Sequence, residues 1–241
     1  MDISKIRCVF LDTETTGKAA SGPAHVGHRV IEIGAVEVDC RNFTGREYRQ
    51  FLNPGMKIDP EAIAVHGITD EFVADKPEFR EVAGDFIDFI RDAVLIIHNA
   101  KFDVGFLDQE LSLAGITEPL NKFCKEIVDS YSESRRLSPG HAKYSLDALC
   151  DFFHIDNSGR TQHGALLDAR LLAEVYLAMT GGQKSMSFDK EPEGILSPVP
   201  IAHGPLKVIH PTEAELKAHM DRLGEMESKD HRKANWLTYW E

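Results

Sequence analysis

The chain has 241 residues, with 27 Lys+Arg against 39 Asp+Glu, a net charge of −12 and a pI near 5.4. That length suits one full domain plus a remainder, and 42% hydrophobic residues is enough for a real core. The acidity excludes a protein that grips DNA by neutralising its phosphates, though not a nucleic-acid enzyme whose acids hold metal ions. Residues 1–180 hold 19 basic and 29 acidic side chains, so the charge belongs to the first three quarters.

Ile6 to Leu11 is an apolar, β-branched run that predicts a central strand. Arg29 to Val38 predicts a second strand, and Glu47 to Leu52 a third, ending at Asn53-Pro54-Gly55. Asp59-Pro60-Glu61 reads as a helix start, with Asp as cap and Pro at the first helical position. After Pro77, Phe79, Val82, Phe86, Ile87 and Ile90 recur at helical spacing. Ala93 to Ile97 predicts a strand, Val104 to Ala114 a helix, and Phe123 to Val128 a fifth strand. Helices are expected over Ser145–Phe153 and about Ala165–Met179.

Early strands followed by helices predict an α/β domain, a mixed central sheet with flanking helices, over residues 1–180. Residues 181–205, with Pro192, Pro198, Pro200 and Pro205, read as a flexible linker. Residues 206–241 read as a small C-terminal segment with a strand-like Leu206–Ile209 and a helix from the cap Thr212 to about Leu223. Cys8, Cys40, Cys124 and Cys150 form no CxxC pair and are expected to be reduced, buried thiols. No leader pattern or apolar run of membrane-spanning length occurs, so a cytoplasmic protein is expected.

Three segments carry acids where a plain core would not. In Leu11-Asp12-Thr13-Glu14, period-two geometry sends Asp12 and Glu14 to one face. Two carboxylates on one face repel, so a hard cation, Mg²⁺ or Mn²⁺, is the natural occupant between them. In Ile97-His98-Asn99-Ala100-Lys101-Phe102-Asp103, an apolar strand ends in polar residues, and a helix is expected to begin near Asp103. Strand C-termini are where open α/β folds build sites. In His163-Gly164-Ala165-Leu166-Leu167-Asp168, five residues separate histidine and acid, which places them on different helix faces. Both reach one site only if His163 sits on the loop before the helix. Singly, each segment has a bland reading: a solvated turn, a helix cap, a surface histidine.

Together, the motifs D-x-E, N-A-x-F-D and H-x₄-D gather four acids and a histidine, the donor set of a two-metal phosphodiesterase. The chain resembles the histidine-containing branch of the DEDD family of 3′→5′ exonucleases, on a ribonuclease-H-like fold. Within that branch it is most similar to the proofreading exonucleases of bacterial replicative polymerases. Leu-Asp-Thr-Glu-Thr-Thr-Gly, Val-Ile-Glu-Ile-Gly-Ala-Val-Glu, Val-His-Gly-Ile, Ser-Leu-Asp-Ala-Leu-Cys and His-Gly-Ala-Leu-Leu-Asp-Ala carry the likeness, over residues 6–188.

The resemblance implies roles. Asp12, Glu14 and Asp168 would hold one of two divalent metal ions, Asp12 would bridge to the second, and Asp103 would hold that ion largely through water. His163 would deprotonate the attacking water, which a group with an ordinary pKa near 6.5 suits. Leu11, Thr13 and Thr15 would face the terminal nucleotide, and His66, His98, Asn99 and Phe102 would line its pocket. Gln183-Lys184-Ser185-Met186-Ser187-Phe188 resembles a clamp-binding peptide, with Gln183, Met186 and Phe188 as anchors. Trp236, Tyr239 and Trp240 would anchor the chain on the polymerase, since aromatics dominate interface energies.

The implied function is a metal-dependent 3′→5′ DNA exonuclease releasing deoxynucleoside monophosphates. Its implied partners are the DNA 3′ end, the alpha subunit of DNA polymerase III, the beta sliding clamp and, in some family members, a theta-like small subunit. The rivals are an RNA-trimming exoribonuclease of the same family and a non-catalytic tether between polymerase and clamp. The acidic surface fits an enzyme to which a partner delivers the 3′ end.

Overall fold

The computed structural model describes residues 3–137, 142–159, 163–181 and 211–230. It divides into two units, Met1–Ser185 and Met186–Glu241. In the first, five strands lie in the order β3-β2-β1-β4-β5: β1 (Arg7–Thr15), β2 (Val30–Asp39), β3 (Asn42–Phe51), β4 (Val94–Ile97) and β5 (Glu126–Asp129). The first three form an antiparallel meander, and β4 and β5 join β1 in parallel. The sheet is therefore mixed, with β1 at its centre.

The period-two alternation of β1 divides the core into two layers. Val9 and Leu11 pack with Leu95 and Ile97 against α3 (Phe79–Ile90) and α4 (Ala100–Leu113). Cys8 and Phe10 point the other way, with Val94 and Ile96, against α6 (Leu146–Phe153) and α7 (Ala165–Thr180). Asp12 and Glu14 continue the even-numbered face, so they emerge on the α7 side. The helix α1 (Pro60–His66) starts with Asp59 as its cap residue and Pro at the first turn, and ends at Gly67 in a left-handed conformation. α8 (Glu213–Asp230) belongs to the second unit and starts with a Thr212–Glu215 capping exchange.

Several boundaries differ from the sequence-based expectation. β1 runs on through Asp12–Thr15 because β2 pairs with it all the way to Thr15. β3 begins at Asn42, not Glu47, and its exposed polar residues hid the extra length. α4 begins at Ala100, four residues early, with Asn99 as a left-handed cap. α2 (Asp70–Val73) and α5 (Ser130–Leu137) were not expected. Cys8, Cys124 and Cys150 are buried, but Cys40 is exposed at the β2–β3 turn, contrary to expectation. The linker and the strand-like Leu206–Ile209 lie outside the described residues. No described helix is long and apolar enough to cross a membrane.

Candidate active site

The carboxyl ends of β1 and β4 open into a cleft of about 280 Å³, lined by Asp12, Thr13, Glu14, His98, Asn99, Phe102, Asp103, Asp147, His163 and Asp168, among others. All four acids and the histidine of the three motifs thus line one cavity. The convergence follows from the chain path. β1 delivers Asp12 and Glu14, the first turn of α4 delivers Asp103, and α7 delivers Asp168 from its fourth position. His163 lies on the loop two residues before α7, where the spacing argument required it. Its backbone N–H is held by the Val65 carbonyl at 3.2 Å, which ties that loop to the end of α1.

Glu14, His163 and Asp168 each offer one ligand atom within 4.8 Å of the others, the one such group among the described residues. His163 Nδ1 lies 3.2 Å from Asp168 Oδ2. Glu14 and Asp168 are buried, whereas the His163 side chain is 45% exposed. Asp103 is 3% exposed, and its Oδ1 accepts the Thr13 backbone N–H and hydroxyl. Burial still pushes its carboxyl up to about 7, against the pull of those donors. Hard oxygen donors, buried and mutually repelling, fit divalent cations of the Mg²⁺ type.

The expected nucleotide-contacting residues are dispersed. Thr13, His98, Asn99 and Phe102 line the acidic cleft. Thr15 and His66 line an adjoining cavity of about 530 Å³ that shares Glu14 and Phe102 with the first. Leu11 does not line the cleft: its side chain is fully buried in the α3–α4 layer, because it alternates with Asp12. Only its backbone remains at the strand end. Phe102 rests on Phe106, with ring centroids 4.9 Å apart, and so stands at the junction of both cavities. Gln183, Met186, Phe188, Trp236, Tyr239 and Trp240 lie outside the described residues.

The two histidines differ in what they can offer. His98 Nε2–H donates to the Tyr144 carbonyl and its Nδ1 accepts the Ser130 hydroxyl, both at 2.9 Å. A carbonyl can only accept, which fixes this tautomer, and burial lowers the ring's pKa. His98 therefore contributes a ring surface and not a free hydrogen-bonding atom. In His66, Nδ1 accepts the Ile68 N–H at 3.0 Å, which leaves the proton on Nε2. Burial lowers the ring's pKa, against a hydrogen bond to the Thr15 backbone that raises it.

Three supporting acids escaped the sequence reading. Asp129, at the end of β5, accepts through Oδ1 from the N–H groups of Asn99, Ala100 and Tyr131. Its Oδ2 accepts the Ser132 hydroxyl at 2.6 Å. It thereby caps both α4 and α5, and these donors lower its pKa against the desolvation that burial imposes. Glu110 pairs in bidentate fashion with Arg29, both contacts 2.7 Å, and accepts Val30 N–H, clamping α4 to β2. Asp147, in the first turn of α6, adds a further carboxylate to the cleft wall. Its signal was present in Ser-Leu-Asp, a cap followed by a first-turn acid.

A mixed sheet with acids gathered at the end of its central strand defines a nuclease of the exonuclease class. A family model described as Exonuclease matches residues 9–176. The structure is similar to the nuclease domain of 3′hExo, a DEDDh family member bound to rAMP, with a TM-score of 0.64, 19% identity, and 74% of this chain and 94% of that one covered. It also resembles Exonuclease X in complex with 5′ overhanging duplex DNA, at TM-score 0.51 and 24% identity, covering 72% of this chain and 91% of that one. DNA polymerase III subunit epsilon of Escherichia coli (strain K12) is 48% identical, covering 95% of this chain and 97% of the relative. The same subunit of Haemophilus influenzae is 46% identical over 97% of this chain and 96% of its own. The chain belongs to the exonuclease family, in the branch formed by the epsilon subunits of DNA polymerase III.

Proposed function

We propose that this protein is the proofreading 3′→5′ exonuclease subunit of a DNA polymerase III complex. The observation that carries this reading is the placement of Asp12, Glu14, Asp103, His163 and Asp168 around one cleft at the sheet's carboxyl edge. The epsilon names of its relatives supply the DNA substrate, the polymerase and a cytoplasmic replisome.

Asp12, Glu14 and Asp168 would hold one divalent ion, and Asp103 together with Asp12 would hold a second. Bound there, two Mg²⁺ or Mn²⁺ ions would supply Lewis-acid stabilisation of the attacking and leaving oxygens. The chain's own contributions are positional and acid–base. Asp168 accepts from His163 Nδ1–H, which leaves the basic lone pair on Nε2. His163 takes a proton there from water as the water oxygen bonds to phosphorus. The bond from phosphorus to the upstream 3′ oxygen breaks, that oxygen takes a proton from solvent to become the new 3′ hydroxyl, and a deoxynucleoside 5′-monophosphate departs. Phe102 stacks or wedges against the terminal base, a contact worth roughly 1–3 kcal/mol. His66 lines the adjoining cavity that the same nucleotide would enter. Asn99 and the backbone at Leu11, Thr13 and Thr15 complete its surroundings.

Beyond the domain, Gln183, Met186 and Phe188 dock on the beta sliding clamp. Trp236, Tyr239 and Trp240 anchor the alpha subunit, and a theta-like subunit is a further candidate partner. The deciding experiment compares Mg²⁺-dependent degradation of 3′-labelled DNA and RNA, with paired and mismatched ends, by wild type and an Asp12→Ala/Glu14→Ala double variant. Faster loss of mismatched DNA ends by wild type only is expected. Near wild-type degradation by a folded double variant would sink the reading, and a preference for RNA would move it to an RNA-trimming enzyme.

A further inference from the structure

The Val-Ile-Glu-Ile-Gly-Ala stretch of β2 contains a buried acid that does not line the cleft. Glu32 is 1% exposed and lies directly opposite Glu14 in the β1–β2 register. Like charges directly opposite one another on a sheet are destabilising, so a buried carboxylate here calls for compensating contacts. Its Oε1 accepts Arg49 Nε–H at 2.8 Å. Its Oε2 accepts the backbone N–H of Ala165, the first residue of α7, at 3.3 Å. Such an N–H has no partner within its own helix, and a negative charge at this end also suits the helix dipole.

Gly34, two residues along the same strand, opposes Asp12. A Cβ at that position would stand 2.1 Å from the Ala165 carbonyl carbon and from the Leu166 nitrogen. The strand and the start of α7 therefore touch backbone to backbone, and the Glu32 carboxylate bridges them beside that contact. One turn further along α7 lies Asp168, and His163 lies two residues before Ala165. The 4.8 Å grouping of Glu14, His163 and Asp168 thus depends on where the first turn of α7 sits relative to β1 and β2.

We infer that Glu32 is a positioning residue for the nuclease reaction, setting the height of α7 through Ala165 N–H so that Asp168 and His163 meet Glu14. The inference rests on reading the cleft as a metal-dependent nuclease. It also gives Gly34 a reason: only glycine lets the helix come close enough for the carboxylate to reach it.

The test measures Mn²⁺ affinity by electron paramagnetic resonance, and kcat and KM on a 3′-labelled single strand, well below each variant's melting temperature. Glu32→Ala is expected to lose kcat by about 10- to 100-fold, as sub-ångström to ångström misplacement does. KM should stay near wild type and Mn²⁺ affinity should fall. Glu32→Gln keeps an oxygen for Ala165 N–H and should restore both readouts to within a few-fold of wild type. Phe79→Leu, in the opposite core layer, should lower the melting temperature without moving either readout. If Glu32→Ala fails to fold, Glu32→Asp retains the charge but withdraws the acceptor, and the same losses are expected. Wild-type kcat and Mn²⁺ affinity in a folded Glu32→Ala or Glu32→Asp variant would overturn the inference, as would a Gln variant as impaired as Ala. An inactive wild type would overturn the nuclease reading instead, leaving the Mn²⁺ comparison to decide the positioning role.

Discussion

Thr13 aims both of its donors at one oxygen of Asp103: the hydroxyl at 2.7 Å and the backbone N–H at 3.1 Å. Thr13 lies between Asp12 and Glu14 but faces the opposite side of the sheet. One tripeptide therefore serves both faces, two acids toward α7 and a pair of donors toward α4. This explains how one cleft gathers acids from both α4 and α7.

The same contact sets a pH-dependent stability. Burial, only partly offset by Thr13, raises Asp103 from 3.8 to about 7. Between these values the folded chain holds a proton that the unfolded chain has released, so stability falls as pH rises through this window. Above about 7 the cost of a buried charge is fully present in metal-free protein. Asp103→Asn keeps an acceptor for Thr13 and carries no charge. Metal-free, it should be more stable than wild type at pH 8, by on the order of 1–3 kcal/mol, with the gain fading toward pH 4. Melting curves in chelator across pH 4–8 check this, and a gain that grows as pH falls would refute it.

Asp129 leads to a different expectation, because its effect is on geometry and not on charge in the cleft. It satisfies three backbone N–H groups and a hydroxyl at the starts of two helices. Asp129→Ala should cost about 1–2 kcal/mol, since the starts of two helices lose one shared acceptor together. It should also raise KM, because Asn99 and His98 sit on the turn it holds. Asp129→Asn should retain part of both, having one oxygen left. Urea unfolding and steady-state kinetics measure the two effects, and an Ala variant with wild-type stability would exclude the capping role.

Much of this architecture was legible in the chain. The apolar run Ile6 to Leu11 marked the central strand, and period-two geometry put Asp12 and Glu14 on one face. The five-residue spacing to Asp168 placed His163 ahead of its helix. What the sequence hid were long-range partners. Asp129 has a local role at the start of α5, but its Asn99 and Ala100 partners lie 30 and 29 residues away, and the Ala165 amide lies 133 residues from Glu32. The exposed, polar β3 and the short α2 and α5 lack the apolar periodicity that reveals longer elements. Leu11 was placed at the nucleotide by motif, although its own alternation already pointed into the core.

His163 sits close enough to Glu14 and Asp168 to be a ligand or a base. The base role is expected because a shared carboxylate already occupies Nδ1. His163→Ala should therefore lose about 10²–10⁴-fold in kcat, the usual worth of a positioned proton acceptor. Mg²⁺ affinity should change little by calorimetry. A matching loss of metal binding would instead make the imidazole a ligand.

The proposed clamp docking should separate from catalysis, because the peptide follows the last described helix of the first unit. α7 ends at Thr180, and Gln183, Met186 and Phe188 follow within eight residues. A short peptide binds through a few anchors, so removing two should abolish most of its affinity. Gln183→Ala with Phe188→Ala should weaken capture of the purified clamp by at least about tenfold, equivalent to 1.4 kcal/mol. Hydrolysis of free oligonucleotides should stay at the wild-type rate, since Asp12, Glu14, Asp103, His163 and Asp168 are all unchanged in this variant. On primed templates carrying polymerase and clamp, the same variant should excise mismatches more slowly. Unchanged clamp affinity in a titration would remove these residues from the interface.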